Sequence, residues 1–207
     1  MVIYKIAIIT LAVFTLMGDY GFVPVVTQGG DEVDEVELEI LSKNYLQEQV
    51  NIQFDMLEKD NFYDKFVDIR VCSASSSKTY MSHTLISRNS IQGKFIEANM
   101  TIKDGFLYDQ DGFIGVALGS YFGNIGDRFI FTLDSGIELK LIKIERKADK
   151  HTFNGCEQRW DKSVIEFVID PSTNLIPRAS NGYIAQGNFN NLEQFRGRIA
   201  RVRKELR

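Results

Sequence analysis

Asp149 and His151 stand two residues apart in the stretch Lys147-Ala148-Asp149-Lys150-His151-Thr152, the densest patch of reactive side chains in the chain. On a strand they would share a face, and at the start of a loop they could converge on one pocket. A partly desolvated aspartate has a raised pKa and can act as a general acid. Glu166 lies inside the apolar run 164–169, where a carboxylate is costly unless it is paired or hydrogen-bonded. It either supports Asp149, Tyr80 or His151, or faces water from a half-exposed strand. Tyr80 can orient a substrate or a carboxylate, or pack inward with a polar tip. Together, Asp149, Glu166, His151 and Tyr80 form the candidate catalytic set. Thr152, Trp160 and His83 are the candidate substrate contacts. Trp160, the only tryptophan, is either a platform for a sugar ring or the closure of its own loop.

Other chemistries find little support. There is no Gly-rich phosphate loop, no HExxH and no nucleophile elbow. Two histidines cannot build a three-histidine metal site within one chain, and a site using both with Asp149 or Glu166 would need the two regions adjacent, so no metal is expected, and no cofactor either. The net charge of −4 gives no reason to expect a nucleic-acid partner. Two cysteines, Cys72 and Cys156, are too few for a disulfide-built scaffold. They form either one disulfide in an oxidising compartment or two separate thiols in a reducing one.

Five short runs must position these groups: 106–108, 114–118, 129–133, 137–144 and 164–169, separated by DG, GN, SG and NG turn signals. In 129–133 both alternating sets are apolar, as expected of a strand covered on both faces, for instance in a small closed barrel. The 15 Phe and 8 Tyr against 3 Pro also suggest strand-rich structure. The barrel domain is expected over 66–207. Ahead of it, 31–62 reads as an amphipathic helical segment with six acids in 31–39. That segment could pack on its own domain, stand off as a spacer or pair with a second copy in a homo-oligomer. Residues 1–30 read as a signal peptide or membrane anchor plus linker, because 3–17 is apolar apart from Lys5 and two threonines. The tail 196–207 holds six bases against one acid and reads as a final edge strand, with a polyanion-binding tail as the alternative.

The segment 112–170 resembles the double-psi β-barrel "three-aspartate" domains of bacterial cell-wall lytic enzymes. Ile125-Gly126-Asp127-Arg128-Phe129 is similar to the family's turn and following strand. Ala148-Asp149-Lys150-His151-Thr152 looks like its second motif and Ser163-Val164-Ile165-Glu166-Phe167 like its third. The first family aspartate has no counterpart, since Leu118 and Gly119 stand there, and the third acid is a glutamate. The resemblance implies a six-stranded double-psi barrel with an N-terminal helix. It also implies an exported protein acting on peptidoglycan glycan strands, either free or membrane-anchored, with a virion-associated component as the alternative. The implied activity is that of a lytic transglycosylase, a lyase with Asp149 as its single acid and base and Glu166 in support. The alternative is a non-catalytic wall-binding or structural module.

Overall fold

The computed structural model describes residues 35–172 and 189–206, with side chains from 43 onward. The chain divides into two compact units, the first ending at Phe54 and the second starting at Asp55. Helix α1 (Glu35–Tyr63) holds residues of both. The second unit carries strands β1 (Phe66–Ile69), β2 (Lys78–Ser82), helix α2 (Ile91–Asn99), β3 (Thr101–Lys103), β4 (Phe106–Tyr108), β5 (Ile114–Leu118), β6 (Arg128–Leu133), β7 (Glu138–Arg146), β8 (Thr152–Phe153), β9 (Glu157–Gln158), β10 (Ile165–Ile169) and β11 (Ile199–Glu205).

These strands do not form the expected double-psi barrel. Nine of them make one mixed sheet in the order β1-β11-β6-β7-β5-β10-β4-β3, with β2 added along β10 and a further β4–β5 pairing. The β10–β2 and β5–β7 pairs are parallel and the others antiparallel. No pairing among the described residues closes the sheet on itself. The feature that suggested closure, strands apolar on both sides, has a different cause. Phe129, Phe131 and Leu133 of β6 enter one core with Val116, Leu118, Phe167, Phe189 and Phe195. Ile130 enters a second core with Ala117, Val168, Ile142 and Phe113, against which Phe95 and Ile96 of α2 and Phe62 of α1 pack. An open sheet covered on both faces needs the same apolar pattern as a closed one.

Helix α2 was not legible in the chain. Ser90 caps it by accepting from the Gly93 amide at 3.0 Å, while Gly93 inside its first turn hides the helical pattern. The expected burial of an amphipathic face on α1 is not seen. From residue 43 to 61 only Val50 is less than exposed, and Tyr45 and Met56 lie open to solvent. At the end of the helix, Phe62 packs on Phe66 with ring centroids 5.1 Å apart and the Tyr63 hydroxyl donates to Glu138.

The basic tail is not an edge. Strand β11 lies between β1 and β6. Its cations are engaged: Arg201 with Asp68 at 2.6 Å, Arg203 with Glu138 at 2.5 Å and Lys204 with Asp127 at 2.7 Å. Just before the strand, Arg198 pairs with Asp134 at 3.0 Å.

The expectations of a signal peptide, a membrane anchor and virion association find no helix to carry them among the described residues. Among the described residues no helix is long and apolar enough to cross a membrane. The run 3–17 and the linker up to residue 30, on which those expectations rested, lie outside the described residues.

Candidate functional site

After β7 the chain leaves the sheet, makes a short turn at Asp149–His151 and enters the β8–β9 hairpin before returning as β10. The hairpin turns at Asn154-Gly155, whose φ angles of 50° and 68° are both positive, as a tight primed turn requires. Three links hold this excursion against the sheet. Cys156 forms a disulfide with Cys72, Cα to Cα 6.2 Å. The Ser73 hydroxyl donates to Glu157 at 2.5 Å. The Tyr121 amide donates to the Gly155 carbonyl at 3.1 Å. That last approach depends on two glycines. A Cβ on Gly119 would meet the Gly155 oxygen at 1.8 Å, and one on Gly155 would meet Ser120 Oγ at 2.1 Å.

The expected catalytic residues are distributed over this region without forming one pocket. Asp149 is 55% exposed and pairs with Arg146 at 3.0 Å. The Ser120 hydroxyl, together with the Arg146 guanidinium, holds its carboxyl below the usual carboxylate range. His151 packs against Trp160 at 5.2 Å between ring centroids, and Trp160 is 64% exposed. Thr152 is buried and donates to the Asp149 carbonyl at 3.2 Å, so it braces the turn. Glu166 aligns with Thr79 of β2, whereas the next pair in register, Phe167 and Tyr80, projects to the opposite face of the sheet. There Tyr80 packs on Phe189 at 5.5 Å. His83 lies beyond the end of β2 and lines a separate hollow of about 450 Å³ with Ile86, Ile96 and Leu107.

Glu166 has a polar neighbourhood of its own. Its carboxylate, 23% exposed, lies 4.0 Å from the Nζ of Lys147, whose side chain is almost wholly buried. Lys147 donates to the Ser163 carbonyl at 3.1 Å and to Ser163 Oγ at 3.0 Å, and Thr79 donates to the same Oγ at 3.2 Å. Burial pushes the Glu166 carboxyl up, against the pull of Lys147, and pushes the Lys147 amine down. Of the two acids in the expected set, Glu166 is therefore the one suited to holding a proton. Ser163 is itself buried, with its amide bound to Asp161, which leaves its hydroxyl no approach for a substrate carbonyl. No group of three or more potential metal ligands occurs among the described residues.

A feature missed in the sequence lies beside the hairpin. A hollow of about 340 Å³ is lined by Arg70, Cys72, Tyr121, Phe153, Asn154, Cys156 and Glu157. The Tyr121 hydroxyl donates to the Arg70 carbonyl at 2.7 Å, which fixes its ring at the rim. Arg159 and Lys162 stand over the Phe153 ring at 4.8 and 4.2 Å. The only sequence signals for this hollow were the two cysteines and the NG turn, and neither names Arg70 or Tyr121.

No protein family matches the chain, nor does any curated protein or solved structure.

Proposed function

We propose that the protein is a non-catalytic binding module for a polysaccharide strand of the peptidoglycan kind, with the excursion 147–163 as its contact surface. The observation that carries this reading is Trp160, 64% exposed and braced by His151 in the turn that follows a disulfide-held hairpin. An exposed aromatic ring fixed on a rigid element offers a broad apolar platform with little conformational entropy to lose on binding. The lyase reading is less well supported. It needs Asp149 protonated near neutral pH, whereas Asp149 is solvent-exposed, paired with Arg146 and held below the usual carboxylate range. It also needs Tyr80 beside that acid, and Tyr80 belongs to the core.

Sedimentation of the full chain with purified peptidoglycan tests the reading, followed by analysis of the glycan for anhydro-muramyl ends. The expected result is co-sedimentation with unchanged glycan, and loss of co-sedimentation in Trp160→Ala without loss of the far-ultraviolet circular dichroism. Release of anhydro ends that disappears in Asp149→Asn or Glu166→Gln would establish the enzyme instead.

A further inference from the structure

The hollow beside the β8–β9 hairpin is built from three separate parts of the chain. Segment 70–73 supplies Arg70 and Cys72, the turn 120–122 supplies Tyr121, and the hairpin supplies Asn154 and Glu157. At about 340 Å³ it lies at the small end of the roughly 300–1,000 Å³ range of ligand sites, which suits one monosaccharide unit and not a length of chain. Its charges are unequal. Arg70 is exposed and makes no ion pair among the described residues. The acid in the lining, Glu157, is already engaged by Ser73 at 2.5 Å and by Lys162 at 3.7 Å. Arg159 and Lys162, standing over Phe153, add positive charge at the rim. The ring of Tyr121, 40% exposed, is pinned through its hydroxyl.

We propose that this hollow takes a carboxylate-bearing sugar, a uronic acid or a muramic acid unit that carries no stem peptide. Its carboxylate lies on the Arg70 guanidinium and its ring against Tyr121. The planar fork of an arginine matches a carboxylate with two parallel hydrogen bonds. The Asn154 amide offers both a donor and an acceptor to a ring hydroxyl or acetamido group. This inference rests on the glycan-binding reading and adds to it a preference for acidic over neutral sugars. Trp160 lies outside the lining of the hollow, so the two contacts separate by mutation.

The test is isothermal titration of the full chain with two soluble probes, chitotetraose as the neutral glycan and a hyaluronan tetrasaccharide as the carboxylate-bearing one. Wild type is expected to bind the acidic probe more tightly. Arg70→Gln is expected to lower affinity for that probe by roughly ten- to a hundredfold, the scale of a lost charge-assisted hydrogen-bond pair, while leaving the neutral probe unaffected. Trp160→Ala is expected to weaken both. Equal binding of the two probes by wild type, or an acidic preference that survives Arg70→Gln, overturns the acidic-sugar site alone. Failure of both probes to bind wild type overturns the glycan reading and this site with it.

Discussion

Asp149 and Glu166 show how surroundings separate two carboxyls that look alike in the chain. One stands in water beside an arginine; the other is half-buried over a lysine that is itself buried. Side-chain carboxyl resonances followed by carbon NMR should titrate in opposite directions from ordinary values, Asp149 below 3.8 and Glu166 above 4.5. A depressed acid contributes stability that is present above its unfolded pKa and lost as pH falls through its folded one. Wild type should therefore be more stable than Asp149→Asn near neutrality, with the gap closing below about pH 3.8. A titration of Asp149 at or above its ordinary value would return the lyase reading to contention.

Two further lysines make a second prediction at this scale. Burial pushes Lys78 and Lys143 down to about 8. Lys143 donates to the Gly119 and Gly123 carbonyls, both at 2.7 Å, and Lys78 to the Gly197 carbonyl at 2.7 Å. A neutral amine still donates two hydrogen bonds, enough for both Lys143 partners, and no longer carries a buried charge. For a base whose folded pKa is lowered, the folded chain holds fewer protons between the folded and unfolded values, so stability rises with pH across that window. Urea midpoints should climb from pH 8 to about 9.5, below the range in which tyrosines ionise. Lys143→Met should flatten that climb by about one proton's worth, ~1.4 kcal/mol per pH unit at most.

Among the elements, the β8–β9 hairpin depends on long-range links. Its disulfide joins residues 84 apart in sequence, and the chain-entropy account gives a loop of that size a stabilisation of ~4.6 kcal/mol. Cys72→Ser with Cys156→Ser should lower the denaturant midpoint accordingly. It should also weaken glycan retention, because the hollow loses the wall that both cysteines form. Gly119→Ala should act locally on the same contact. Its φ of −66° suits alanine, but the added carbon would meet the Gly155 oxygen at 1.8 Å and drive the hairpin off the turn. Retention should fall in this variant while the disulfide stays formed, as a thiol assay would show.

The same elements show what the chain disclosed. Runs 106–108, 114–118, 129–133, 137–144 and 164–169 became β4, β5, β6, β7 and β10 because a doubly covered strand carries its signal locally. What covered them could not be read. Phe131 and Ile130 are equally apolar, and only the pairings reveal that they enter two different cores. Trp160 and His151 were identified by residue type and stand together. Arg70, Tyr121 and Glu157 are ordinary residues far apart in sequence, and only the tertiary fold makes them one site.

For the whole molecule, the acidic balance and the paired tail lead to the same expectation. Of the six bases in 196–207, Arg198, Arg201, Arg203 and Lys204 face acids on other segments. The chain should pass through a phosphocellulose column, a polyanion without sugar carboxylates, at low ionic strength, since most of the tail's cations are already engaged. Firm retention that vanishes when 206–207 are removed would show that the last residues act as a polyanion contact after all.

Strand β11 has a bearing on how the protein is made. It is the last strand described, yet it fills the gap between β1, near the start of the second unit, and β6, near its middle. During synthesis β1 therefore emerges long before its partner exists, and β6 waits with an unpaired edge. Domains that fold as they leave the ribosome do so when their contacts are already in hand. Here the sheet cannot be joined until residues 199–205 have emerged, so its final assembly follows the synthesis of every other strand described. Until then, the exposed strands of the nascent chain are a natural substrate for chaperones.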